Sequence, residues 1–251
     1  MNRLLPVTAG FGLAAAAAPC LPGVAPGLAW CALFAGYASM LTRASACMRS
    51  QLLGTALCTL PQSSDSVALT FDDGPDPAAT PILLDLLREH RAQATFFCVG
   101  ERVRAAPAIV QRMHDEGHAL GNHGDRHRWW APCQFGERLR QDLLACQLAI
   151  ADAAGITPIW FRPPFGVRTH ATHSTCARLG LQVVGWNVRS LDLPNAAPER
   201  VAARVLAQLH SGDIVLLHDG DRQPARVVAT AARILAGMAD RGLRSVSLDA
   251  R

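Results

Sequence analysis

The chain has 251 residues, half of them hydrophobic, and a net charge of +4 from 24 basic residues, all arginine, set against 20 acids. That length supports one large domain with a sizeable core, and arginines this scattered form no basic tail, which excludes a nucleic-acid binder of the usual electrostatic kind. The eight cysteines show no C-x-x-C pair and no zinc-finger spacing, so they read as free thiols rather than as a disulfide framework or a zinc ribbon.

Residues 4–42 carry no charge. The stretch is too long for one membrane span of ~20 residues and long enough for two short ones. Pro19, Pro22, Gly23 and Pro26 cluster at its middle, where a turn would fall. The expectation is a membrane-anchoring segment, 1–42, folded as a hairpin of two short helices near 4–20 and 25–41, followed by a linker over 43–65. Arg3 precedes the first helix, Arg43 and Arg49 follow the second, and the turn has no basic residue. The positive-inside rule then puts the downstream domain on the cytoplasmic side of a bacterial-type inner membrane. The same residues also read as a secretory signal, with Leu4–Ala18 as its apolar region and 25–41 retained as an anchor for an outward-facing domain. A buried pair of helices is the third reading.

From Val67 onward, short β-rich runs alternate with amphipathic stretches. The pattern predicts strands at 67–71, 94–99, 118–121, 158–161, 181–186, 213–217 and 243–247. Helices are predicted near 78–91, 105–116, 136–153, 171–179, 197–209 and 223–240; in the third, Leu139, Leu143, Leu144 and Leu148 repeat at helical spacing. Such alternation implies parallel strands with crossover helices, as a barrel or a doubly wound sheet of about seven strands. In both architectures ligands bind at the carboxyl ends of the strands.

The first strand runs into A-L-T-F-D-D-G-P, which sets Asp72 and Asp73 side by side at a strand end. Asp before Gly-Pro is ordinary turn chemistry, yet adjacent like charges repel and a tight turn leaves little room to separate them. In G-N-H-G-D-R-H, His123 and His127 are four apart, so one turn of helix would face both imidazoles the same way. Two such histidines and a carboxylate commonly hold Zn²⁺ with one position open, although a polar surface loop has the same composition. W-F-R-P-P-F-G fixes Arg162 beside two prolines, and a rigid guanidinium near a carboxylate keeps it ionised. D-I-V-L-L-H-D-G ends a buried-type strand on His218, a group able to act as an acid near neutral pH, and Asp192 is placed to raise its proton affinity. Singly, the last two motifs also read as a loop with a surface Arg and a turn with a polar His.

In order and spacing, T-F-D-D-G-P, H-x-x-x-H, R-P-P-F-G, a downstream Asp and L-L-H, over about residues 66–248, resemble the polysaccharide deacetylases of the NodB-like carbohydrate esterase family. The resemblance implies a distorted (β/α) barrel of seven strands, here a domain 66–251, and a bound divalent metal, usually zinc. It implies Asp73, His123 and His127 as metal ligands. Asp72 is then the base that takes a proton from the hydrolytic water, oriented by Arg162. His218 protonates the departing amine or alcohol, backed by Asp192, and the backbone N–H of Phe165 helps stabilise the tetrahedral oxyanion. The implied reaction removes an acetyl or similar acyl group from an N-acylated sugar of a polysaccharide or lipid-linked saccharide. Hydrolysis of a small non-sugar amide, and a catalytically degenerate, membrane-bound carbohydrate-binding protein, are the alternatives.

Two positions depart from the family's pattern. Its second motif usually has Ser or Thr after the first histidine, where this chain has Gly124 and then Asp125. Its fourth usually has Asp three residues before the retained Asp and Trp after it, where this chain has Arg189 and Leu193. Trp129 and Trp130 are the candidate substrate-binding replacements for that lost aromatic wall; Trp186 reads as core packing.

Overall fold

The structure, a computed structural model, describes residues 4–17, 25–61, 65–220 and 223–249. Two helices open the chain, α1 (Leu4–Ala17) and α2 (Pro26–Ala46). They touch through Phe11, whose ring lies 4.4 Å from that of Tyr37 and 5.3 Å from that of Phe34. Among the described residues no helix is long and apolar enough to cross a membrane, which corrects the expected membrane hairpin. The 14 residues of α1 rise ~21 Å, short of a hydrocarbon core of ~30 Å. The 21 residues of α2 are enough in length, but they include Tyr37, Ser39, Thr42 and Arg43. Among the described residues the positive-inside argument has no span to act on. The turn expected around Pro19, Pro22 and Gly23 lies outside the described residues.

Downstream the strands are β1 (Ser66–Asp72), β2 (Thr95–Cys98), β3 (Ala119–Asn122), β4 (Trp160–Phe161), β5 (Gln182–Val183), β6 (Val188–Arg189), β7 (Ile214–His218) and β8 (Arg244–Ser245). Between them run α3 (Thr80–Glu89), α4 (Gly100–Ala105), α5 (Pro107–Asp115), α6 (Gly136–Ala154), α7 (His170–Arg178), α8 (Pro198–Gln208) and α9 (Pro224–Ala239). The order across the sheet is β5-β4-β3-β2-β1-β7-β6, with β8 joined to β1, and every pairing is parallel. This is an open, half-barrel form of the expected (β/α) fold. All seven predicted strands are present; β6 is additional. The helix expected over 105–116 is α5, which Pro107 starts because it lacks the N–H that a continuous helix would need there; α4, ahead of it, is additional.

The long central strand explains the position of the mouth. Val67, Leu69 and Phe71 of β1 pack outward with Leu83, Leu84 and Leu87 of α3 and Ile234 of α9. The alternate set, Ala68, Thr70 and Asp72, faces the barrel interior, where Ala68 meets Phe97, Trp160 and Ile214. Period two thus delivers Asp72 to the interior at the carboxyl end of β1.

Part of the segment expected to be a linker is built into the barrel. Met48 and Leu53 are buried, and Leu57 bridges Val184 in parallel. The fully buried Arg168 donates to the carbonyls of Cys47 (3.1 Å), Met48 (3.0 Å), Gly54 (2.9 Å) and Ser50.

Candidate active site

In an extended strand consecutive side chains point to opposite faces. Asp73, immediately after β1, has φ of +73°. That left-handed residue breaks the alternation, and Asp73 turns toward the mouth that Asp72 already faces. The loop after β3 brings the histidines. It is not the helical turn expected from their spacing: Gly124 has φ of +82° and His127 of +44°, and this bend leaves the two imidazole centroids 5.0 Å apart. Gly124 N–H donates to Asn122 Oδ1 (2.8 Å), and Asp125 N–H to Asp142 Oδ2 (3.0 Å). These bonds steady the loop where the family's hydroxyl is missing. The extra charge of Asp125 is paired with Arg104 at 2.7 Å.

Asp73 Oδ1 lies 3.4 Å from His123 Nε2 and 3.2 Å from His127 Nε2, and the three donor atoms fall within 4.8 Å of one another. Asp73 Oδ1 is buried and accepts no hydrogen bond from the described residues. His123 Nδ1 sits 2.8 Å from the Arg162 carbonyl, so Nδ1 carries the proton and Nε2 presents its lone pair to the mouth. A tetrahedral ion bound at ~2.0–2.1 Å separates its ligands by ~3.3 Å, which is the spacing of Asp73 Oδ1 from each of the two imidazole nitrogens. The donor set therefore fits a divalent cation and leaves a further position open. Burial tends to raise the Asp73 carboxyl, but with the imidazoles protonated the hydrogen bond and charge of His123, then the charges of His127 and His218, outweigh it and hold the group well below the usual carboxylate range.

Asp72 is held from behind. The fully buried Arg162 donates through Nη1 to Asp72 Oδ1 (2.8 Å) and Thr70 Oγ1 (2.6 Å), and through Nη2 to the Gly185 carbonyl (2.8 Å). Its guanidinium lies 4.1 Å from the Phe97 ring centroid. Asp72 Oδ2 faces His123 Nε2 at 3.9 Å.

Because β7 pairs with β1, His218 registers directly with Asp72. His218 Nδ1 is 2.9 Å from Asp192 Oδ1, and its backbone N–H donates to Asp192 Oδ2 at 2.8 Å. Ser190 Oγ donates to Asp192 Oδ1 at 2.6 Å. Burial alone would lower the His218 pKa, but the bond and charge of Asp192, then the charges of Asp72 and Asp73, push it up to about 9. Asn187 accepts the N–H of Ile214, at the far end of β7 from His218.

Phe165, with φ of +60°, packs its ring on His127 at 4.7 Å. Gly166 follows, and a Cβ there would collide with the Trp186 ring; Trp186 joins the core, as expected. Trp129 and Trp130 are 80% and 45% exposed and meet edge to face at 5.6 Å beyond His127. Two bracing residues escaped the motif reading. Arg102 Nη1 donates to the Asp73 carbonyl at 2.6 Å. Asp219 is fully buried, accepts Thr80 Oγ1 at 2.6 Å and donates its N–H to the Asp72 carbonyl at 3.1 Å. Burial pushes its pKa up to about 7. Its place next to His218 at a strand end was a usable signal; Arg102, on an exposed-looking helix, offered none.

A family model described as polysaccharide deacetylase matches residues 59–184. A peptidoglycan-N-acetylglucosamine deacetylase of Bacillus cereus is 38% identical over 205 residues, covering 80% of this chain and 95% of that one. A chitooligosaccharide deacetylase of Bradyrhizobium is 40% identical over 156 residues, covering 62% of this chain and 71% of that one. A solved family 4 carbohydrate esterase from Streptomyces lividans, in complex with acetate, aligns with a TM-score of 0.68 at 34% identity, covering 75% of this chain and 95% of that one. With these likenesses added to a half-barrel whose mouth gathers two aspartates and two histidines, the chain belongs to the polysaccharide deacetylase family and is a hydrolase that removes acyl groups from N-acylated sugars.

Proposed function

We propose that the chain removes the N-acetyl group from N-acetylglucosamine units of a peptidoglycan-type or chitin-type oligosaccharide, with zinc held by Asp73, His123 and His127. The observation that carries this reading is the convergence of one carboxylate oxygen and two imidazole nitrogens beside the registered pair Asp72 and His218. One carboxylate and two imidazoles suit zinc, which when bound polarises the acyl carbonyl and lowers the pKa of water. Asp72 takes the proton of the attacking water: Arg162 pins Oδ1, which leaves Oδ2 on the side of the donor cluster. His218 hands its proton to the departing amine through Nε2, because Asp192 occupies Nδ1. The Phe165 N–H supports the developing oxyanion from the turn that the two prolines fix. Trp129 and Trp130 offer exposed ring faces for sugar stacking.

The test is metal content together with acetate release from N-acetylated chito-oligosaccharides. The purified chain should hold about one zinc; a chelator should abolish acetate release and added zinc restore it. Asp72→Asn should lower kcat by ~10²–10⁴-fold, the range of general-base catalysis, while keeping the metal. His218→Ala should slow the reaction with metal content unchanged. A fully active Asp72→Asn, or zinc lost on changing His218, would show that the roles are misassigned.

A further inference from the structure

Beside the donor cluster the mouth opens into a cavity of about 560 Å³ whose lining includes Asp73, His218, Asp192, Arg189, Leu191 and Leu193. All but one of these charged groups is already committed. Asp73 faces the two imidazoles, and Asp192 is bonded to His218. Arg189 is exposed, and among the described residues no acid or carbonyl engages its guanidinium. Its backbone, by contrast, is tightly held. Arg189 registers with Leu216 of β7, and in-register residues of parallel strands project to one face. His218 lies two residues further along β7 on that same face, ~6.6 Å away along the strand. The next residue, Ser190, is buried, bonded to Asp192 and gripped through its carbonyl by Arg204 at 3.2 Å. A cation with no counter-ion among the described residues is thus presented from a rigid strand, in a partly apolar cavity, beside the residue that protonates the leaving group.

We propose that Arg189 is a specificity-determining residue, selecting glycans that carry an anionic group on or next to the sugar being deacetylated. The inference rests on the deacetylase reading above and narrows its substrate class. The planar guanidinium fork matches carboxylate and phosphate oxygens bidentately. Leu191 and Leu193 give the cavity apolar wall beside the guanidinium, against which a sugar ring can rest while its anionic group pairs with the arginine. A neutral chitin-type oligomer has nothing to offer this cation.

Two matched pairs of probes test the idea. Di-N-acetylchitobiose is compared with the N-acetylglucosaminyl-N-acetylmuramic acid disaccharide, which adds a lactyl carboxylate. N-acetylglucosamine is compared with its 1-phosphate. Steady-state kinetics use the zinc-loaded full chain, and dissociation constants are measured on Asp72→Asn, with and without Arg189→Gln. A hydrogen bond to a charged group contributes ~1.5–3 kcal/mol, or about 10–100-fold. The chain should therefore favour the anionic member of at least one pair by about tenfold or more. Arg189→Gln should erase the preference through KM rather than kcat, Arg189→Lys should restore part of it, and added salt should weaken it. The pair that shows the preference identifies carboxylate or phosphate. Acetate release without any anionic preference in kinetics or binding overturns this inference and leaves the deacetylase reading standing. An Arg189-dependent binding preference with no acetate from any probe overturns the deacetylase reading instead. An equal loss on both members of a pair in Arg189→Gln also overturns the inference.

Discussion

Asp73, His127, Phe165 and Leu191 share a feature that no sequence pattern announces: each has positive φ, at +73°, +44°, +60° and +54°. Such backbone costs ~1–2 kcal/mol for a residue with a Cβ, and it clusters where surrounding bonds over-determine it. The residue types that carry the chemistry were legible, since paired carboxylates, spaced histidines and a terminal His stand at strand ends. Their orientations were not, because these depend on left-handed residues and on Arg102 and Asp219 reaching in from elsewhere. Among the side chains, Asp192 makes the most direct prediction. His218 donates its proton only while protonated, so activity falls as pH rises through its pKa, which lies at about 9 chiefly because Asp192 outweighs burial. Asp192→Asn removes that charge and lowers the His218 pKa. The basic limb of the kcat–pH profile should then move downward by ~1–3 units, the usual effect of one adjacent opposite charge. A basic limb that stays in place would mean that another group supplies the proton.

At the level of elements, legibility followed length. The seven residues of β1 and five of β7 are long enough to show which face is buried, and both were read within one residue of their ends. β6 has two residues, too few for any period to show. The β3–α6 connection misled differently, because i,i+4 spacing is equally compatible with a helix and with a left-handed bend. Gly124 is the hinge of that bend, with φ of +82° and a would-be Cβ 2.9 Å from Asp142 Oδ2. Restoring the family's usual hydroxyl should therefore harm rather than help. Gly124→Ser adds ~1–2 kcal/mol of left-handed strain and presses on the carboxylate that holds Asp125 N–H. Zinc affinity, measured by competition with a chelator, should drop about tenfold. Unchanged or tighter binding would show that the loop adapts to serine without strain at 124.

On the scale of the whole molecule, the catalytic half-barrel does not end where its first strand begins. Residues 47–60 have no periodic pattern and read as linker, yet they supply the acceptors for a buried cation. Arg168 has no carboxylate partner among the described residues; it donates to carbonyls at 47, 48, 50 and 54 and lies 3.2 Å from His173 Nε2. His173 accepts because burial, then the charge of Arg168, push its pKa down to about 4 and keep it neutral. A chain started at Pro61 keeps the whole sheet but strands this guanidinium. Losing hydrogen bonds to a charged group, at ~1.5–3 kcal/mol each, together with the buried side chains of Met48 and Leu53, costs several kcal/mol, and at ~2–4 °C per kcal/mol for a domain of this size the melting temperature should fall by about 10 °C or more relative to a chain started at Thr42. Arg168→Met separates lost charge partners from lost packing. It should destabilise the longer chain, where it deletes satisfied bonds, and change the shorter one little, where those partners are already gone. Equal destabilisation of both chains would mean that residues 47–60 act through apolar contacts such as Met48 and Leu57, and that the buried arginine is solvated some other way.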